Sequence, residues 1–204
     1  MTTRFKKPEI QEHKNYVSIK KRKETNFIVV HCAATQQKDT YDWKTIDHIH
    51  RIKGWIMIGY HFVITTDGTI QKGRDLDTIG AHVEGHNSES VGICLIGGID
   101  KEGHSINNFT KEQMKSLKLL IDWLLSVYPE AKVCGHRDFI GVNKDCPCFD
   151  VKSWYKPVAK YITLEDIKEL PDVLVEYNLS KMNFEALNGV KLEEIESGDL
   201  IRVR

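Results

Sequence analysis

The stretch FIVVHCAAT, Phe27 to Thr35, decides the fold. Its opening run, Phe27-Ile28-Val29-Val30, is short, apolar and rich in β-branched residues, so it reads as a buried strand that delivers His31 and Cys32 at its carboxyl end. Outward from it, strands and helices alternate. Trp43, Ile46, Ile49 and His50 recur at helical spacing up to Gly54, a C-terminal stop. Tyr60 to Thr65 and Thr69 to Lys72 flank Asp67-Gly68, a hairpin signal, and Val91 to Ile96 reads as another buried strand closed by Gly97-Gly98. Thr110 and Gln113 have the spacing of a capping box, after which Met114, Leu117, Ile121, Leu124, Leu125 and Tyr128 continue as one helical stripe ended by Pro129. This alternation predicts an α/β fold with the stripe packed on a sheet.

Val133-Cys134-Gly135-His136-Arg137-Asp138 repeats the design of the first strand: a short apolar run breaks at Gly135 and presents His136. The polar loop Asn143-Lys144-Asp145-Cys146-Pro147 follows, within reach of His136 if it curls back. A lone His at a strand end is most often structural. His31, His136 and Cys146 together are a different matter, because two imidazoles and one thiolate make a zinc site whose fourth position stays open, the catalytic rather than the structural arrangement. The set points to metal-assisted hydrolysis.

Five pieces, in order, carry a family resemblance: FIVVHCAAT, HRIKGWIMIGYHFVITTDGTI, GRD, GAHVEGHNSESVGICLIGG and CGHRDFIGVNKDCPCF. They resemble the zinc-dependent N-acetylmuramoyl-L-alanine amidases of the phage-lysozyme and peptidoglycan-recognition-protein group. The resemblance implies a mixed central β-sheet flanked by helices, a catalytic domain over residues 26–157, and one zinc ion held by His31, His136 and Cys146. It also implies the reaction, hydrolysis of the amide joining the lactyl group of N-acetylmuramic acid to L-alanine in peptidoglycan and muropeptides. Zinc lowers the pKa of a bound water from about 15.7 to about 7 and polarises a carbonyl.

The same pieces imply further roles. Tyr60 falls where the group places a Tyr beside the zinc water, and Lys144 where it places a Lys able to stabilise an oxyanion. His82 falls where a His lines the substrate cleft, which gives it a polar role near the leaving group or sugar. Without the resemblance, Tyr60 reads as a half-buried strand aromatic, Lys144 as a solvated loop charge and His82 as an exposed loop histidine. His50 and His61 read as packing or hydrogen-bonded structural residues.

Five cysteines, an odd number, are scattered as Cys32, Cys94, Cys134, Cys146 and Cys148, which is not a secreted disulfide framework. Cys32, Cys94 and Cys134 read as small buried hydrophobes. Cys148 departs from the group's usual Gly or Ser, so the Cys-Pro-Cys element could exchange ligands or close a disulfide; spacing from Lys144 selects Cys146 as the ligand. A papain-like Cys-His pair is the competing catalytic reading. It leaves the second His unexplained and lacks an orienting Asn or Asp.

At 204 residues and 41% hydrophobic content the chain has room for one ordinary domain and a small appendage. No apolar run approaches the roughly 18 residues of a membrane span, and the charged N-terminus lacks a secretory h-region. The expectation is a soluble monomer without a membrane association, made in the cytoplasm and released to the wall by other means. Formal net charge is zero but uneven. Residues 1–25 form a basic arm with eight Lys or Arg against three Glu, and residues 164–204 carry ten acids against five bases. Such a basic run meets an anionic polymer or, more often, is a solvated tail.

Residues 161–204 read as a second unit, after Trp154-Tyr155-Lys156-Pro157. Tyr177, Phe184, Leu187, Asn188, Ile195, Gly198 and Ile201 resemble the second helix and final strand of the LysM module, which binds N-acetylglucosamine-containing glycans through a βααβ fold. The module's usual Gly-Asp-Thr-Leu opening is missing, and Pro171 there suits a helix's first turn. The resemblance thus implies peptidoglycan as partner, with glycan binding by this module. Some members of the amidase group only recognise peptidoglycan, and one phage branch also restrains an RNA polymerase, a partner suggested by analogy alone. Loss of the ligand Cys commonly marks the non-hydrolytic recognisers, and Cys146 is present.

Overall fold

A computed structural model describes residues 7–15, 17–156, 161–177 and 179–203. Residues 1–6 of the basic arm, Pro157 and the side chain of Leu187 lie outside the described residues. The chain divides into two compact units, residues 1–155 and 156–204. Among the described residues no helix is long and apolar enough to cross a membrane.

In the first unit, β1 (Phe27–Cys32), β2 (Phe62–Ile64), β3 (Ile70–Lys72), β4 (Ser90–Leu95) and β5 (Lys132–Gly135) form one sheet in the order β3-β2-β4-β1-β5. β2, β4, β1 and β5 are parallel, and β3 returns antiparallel to β2 through the Asp67-Gly68 turn. Side chains alternate between faces along each strand. Ile28 and Val30 of β1 join Ile93, Leu95, Phe62 and Ile64 under one helix, α2 (Lys111–Val127). Val63 and Cys94 point the other way, into a cluster with Ile46 of α1 (Trp43–Ile52), Met57 and Ile58. The architecture is the mixed sheet flanked by helices that the sequence predicts.

The capping box of α2 is present in full. Thr110 Oγ1 accepts from Gln113 N at 3.0 Å, and Gln113 Oε1 accepts from Thr110 N at 3.1 Å. The sequence spacing gives Gln113 only its place in this box. Its side chain is buried, and its Nε2 donates to the Ile64 and Ile96 carbonyls at 3.1 and 2.9 Å, tying the helix to the ends of β2 and β4.

The basic arm departs from the expectation of a solvated tail. Gln11 bridges to Gln71 on β3, with Gln11 N donating to the Ile70 carbonyl at 2.8 Å and Lys72 N to the Gln11 carbonyl at 3.0 Å. Farther along, Arg22 N donates to the Asp77 carbonyl at 2.7 Å, and the Arg22 guanidinium donates to the Thr78 and Leu76 carbonyls at 2.8 and 2.9 Å. The cause is physical: β3 is a sheet edge whose open backbone groups the arm satisfies. The carbonyls of the loop after β3 offer Arg22 acceptors that its charge needs.

The short α3 (Val151–Trp154) ends the first unit; in the second, β6 (Tyr161–Thr163) pairs antiparallel with β7 (Leu200–Arg202), and α4 (Leu170–Glu176) and α5 (Lys181–Asn188) lie between them in sequence. This is a strand-helix-helix-strand module with its own core of Leu164, Leu170, Phe184, Ile195, Ile201 and Val203. Pro171 sits in the first turn of α4, where a missing N–H costs nothing.

Candidate metal centre

Strand register builds the site. Val30 of β1 pairs with Gly135 of β5, so the next residues, His31 near the end of β1 and His136 just past β5, lie side by side at the same carboxyl edge. In open α/β sheets that edge is where ligands bind. The loop after His136 then folds back: Arg137 N donates to the Cys146 carbonyl at 2.8 Å, and Pro147 packs on Gly135 where a Cβ would stand 2.8 Å from its Cδ. The result brings Cys146 to β1, where its Sγ accepts the Cys32 N–H at 3.3 Å and lies 3.8 Å from His31 Nδ1.

Among the described residues, His31, His136 and Cys146 are the group of potential ligands that comes together, with donor atoms all within 4.8 Å of one another. Two nitrogens and one sulfur in this arrangement fit zinc with a fourth position open. Burial, reinforced by the neighbouring His82, His136 and Lys144, holds His31 well below the usual imidazole range. Burial and Lys144 lower His136 as well. Both imidazoles are therefore neutral near pH 7, the state in which they donate a lone pair to a metal.

Hydrogen bonds fix which nitrogen of His31 is free to do so. The Ser90 hydroxyl donates to the His86 carbonyl at 2.7 Å, so Ser90 Oγ is left to accept from His82 Nε2 at 3.4 Å. His82 Nδ1 then accepts from His31 Nε2–H at 3.0 Å, leaving the His31 Nδ1 lone pair on the side of Cys146. Partners of this kind orient a ligand imidazole and set its tautomer. His82, expected at the cleft wall, is buried and lies behind His31, clamped by two glycines. A Cβ at Gly92 would stand 2.7 Å from its ring, and one at Gly80 2.4 Å. An isolated Gly in the Val91 to Ile96 strand pattern was the sequence signal for such a close approach.

Tyr60 is half-buried, its ring 5.1 Å from that of His31. Burial and the cysteine sulfurs around it push its phenol well above the usual range, so it remains a proton donor. Lys144 is exposed, and its charge acts on both His31 and His136. His50 and His61 hold backbone instead: Gly59 N donates to His50 Nδ1 and Gly92 N to His61 Nδ1, each at 3.0 Å.

These two imidazoles make stability depend on pH. Burial lowers His50 to about 4 and His61 to about 3. An unfolded His titrates near 6.5, so below that pH the unfolded chain binds protons that the native state refuses. Their contribution is complete above about pH 6.5 and declines as pH falls towards the native values. Between pH 7.5 and 5.5, where carboxylates stay ionised, His61 alone removes about 1 kcal/mol. The urea midpoint should fall over that interval at unchanged m-value; a flat midpoint would refute the assignment.

Comparison with known proteins agrees with this geometry. Residues 21–149 match the Amidase_2 family model, described as N-acetylmuramoyl-L-alanine amidase. The endolysin of Enterobacteria phage K11 is 44% identical over 140 residues, covering 69% of this chain and 91% of that protein. Among solved structures, the endolysin amidase LysCS from Clostridium intestinale superposes with a TM-score of 0.59 at 30% identity, covering 70% of this chain and 89% of that one. Wild-type Drosophila PGRP-LB superposes at 0.54 and 27% identity, covering 64% of this chain and 79% of that one. With the family model matching residues 21–149, more than half of the chain, and a relative at this identity, the chain belongs to the N-acetylmuramoyl-L-alanine amidase family.

Proposed function

We propose that this protein is a zinc-dependent, endolysin-type peptidoglycan hydrolase that cleaves the amide between N-acetylmuramic acid and L-alanine. The observation that carries the reading is the convergence of His31, His136 and Cys146 at the carboxyl edge of the sheet. Zinc held there supplies an acidified water and a Lewis acid for the scissile carbonyl. The protein's own groups do the rest. His82 and Ser90 hold His31 in the tautomer that faces the site. Tyr60, kept protonated by burial, offers a donor to orient the attacking water, and the exposed Lys144, whose charge acts on His31 and His136, offers positive charge to the tetrahedral oxyanion.

Mass spectrometry of a defined muropeptide tests the reading. Incubation with the purified protein should release a peptide bearing a free L-alanine amino terminus, chelation should stop release, and added zinc should restore it. An intact muropeptide despite one bound zinc would overturn the hydrolase assignment in favour of recognition alone.

The βααβ module is proposed to bind glycan, and its acidic surface does not oppose this because the glycan backbone is recognised through neutral hydroxyl and acetamido groups. Tethering would raise the local substrate concentration without adding a catalytic contact. Deleting residues 161–204 should weaken retention on sacculi at least tenfold while sparing turnover of the soluble muropeptide. Equal loss of both would assign the module a structural role.

A further inference from the structure

The mechanism uses neither Cys32 nor Cys148, yet the fold brings their sulfurs to 3.7 Å. Cys32 ends β1, and Cys148 follows Pro147 in the ligand loop, so residues 116 positions apart meet beside the metal centre. The backbone is bent to achieve this. Cys148 has φ of 74°, a left-handed conformation costly for any residue with a side chain. That turn lets the Cys148 thiol donate to the Gly98 carbonyl at 3.2 Å. Gly98 in turn leaves the slot the sulfurs occupy: a Cβ there would stand 2.8 Å from Cys32 Sγ and 3.5 Å from Cys148 Sγ.

We propose that Cys32 and Cys148 are a disulfide-forming pair that staples the ligand loop to β1 under oxidising conditions and leaves Cys146 as the thiol facing the metal. The oxidant is a small disulfide such as oxidised glutathione. Burial and the neighbouring Cys32 push the Cys148 thiol up to about 12, so only the small ionised fraction reacts and the exchange is slow near neutral pH. That thiolate, on the more exposed of the two residues, attacks one glutathione sulfur, and the departing glutathione thiolate takes up the proton that Cys148 lost. Cys32 then attacks the mixed disulfide at the Cys148 sulfur and expels the second glutathione, which takes the Cys32 proton. Two protein thiols are oxidised and one disulfide is reduced to two thiols. Closing the 3.7 Å gap to an S–S bond of about 2.05 Å requires the two sulfurs to approach by roughly 1.7 Å.

Cys146 is the rival partner, since its side chain also contacts Cys32. A Cys32–Cys146 or Cys146–Cys148 bond would consume the ligand, so the two outcomes separate cleanly. The full chain, loaded with zinc, is incubated with oxidised glutathione. Its intact mass should fall by two hydrogens, non-reducing peptide mapping should link Cys32 to Cys148, bound zinc should stay at one per chain, and Tm should rise by roughly 5–10 °C. Cys148→Ser should form no link and keep its zinc. A persistent glutathione adduct without the internal bond, or a bond that includes Cys146 with loss of zinc, would overturn the proposal. Because the link is read by mass and mapping, it is judged independently of whether the metal centre proves catalytic.

Discussion

Replacing His31, His136 or Cys146 by alanine should abolish zinc binding and amidase turnover together. The expectation follows from the donor set: among the described residues, His31, His136 and Cys146 are the group of potential ligands whose donor atoms all lie within 4.8 Å of one another. Losing a partner that merely orients a ligand costs about 10–100-fold in affinity, and losing the ligand itself should exceed that. Zinc titration of each variant, with circular dichroism to verify the fold, gives the first reading and muropeptide turnover the second. His136→Ala is the cleanest of the three, because its ring is only half-buried in a short turn, whereas His31 is 1% exposed within the sheet. A His136→Ala protein that keeps both stoichiometric zinc and full turnover would remove this site from the mechanism.

Lys144→Ala should behave oppositely with respect to the metal. Its side chain is exposed, so nothing in the core depends on it, and removing its charge relieves the repulsion it exerts on His31 and His136 if either is protonated. Zinc affinity should be unchanged or slightly higher, while kcat should fall about 10²–10³-fold, the usual loss when one oxyanion donor is deleted. Lys144→Arg should recover part of the rate because charge is retained. Unchanged kcat in the alanine variant would return Lys144 to the solvated-charge reading.

Much of this was legible in the sequence because it rests on local patterns. The apolar run before His31, the Gly135 break before His136 and the Thr110–Gln113 box each describe a few consecutive residues, and each forms as read. What escaped depends on contacts distant in sequence. Nothing near Gln11 announces that it completes the edge at Gln71, and nothing near Gln113 announces the carbonyls of Ile64 and Ile96. The four-residue helix Val151–Trp154 is too short for periodicity to register. The resemblance places His82 near the substrate, whereas its hydrogen bond to His31, 51 residues away, depends on the space left by Gly80 and Gly92 and is not legible locally. The Cys32–Cys148 approach required a left-handed residue that composition does not reveal.

The pairing of Val30 with Gly135 also has a thermodynamic side. His31 and His136 are neighbours only while β5, an edge strand, stays on β1. A metal held by these residues would bind the assembled sheet in preference to the unfolded chain, so by mass action it would add up to about 4 kcal/mol of stability at a free concentration a thousandfold above its dissociation constant. The ion would then fasten the last strand of the sheet as well as serve the reaction. Withdrawing it should first loosen the backbone amides of β5, well before the interior strand β4 gives way.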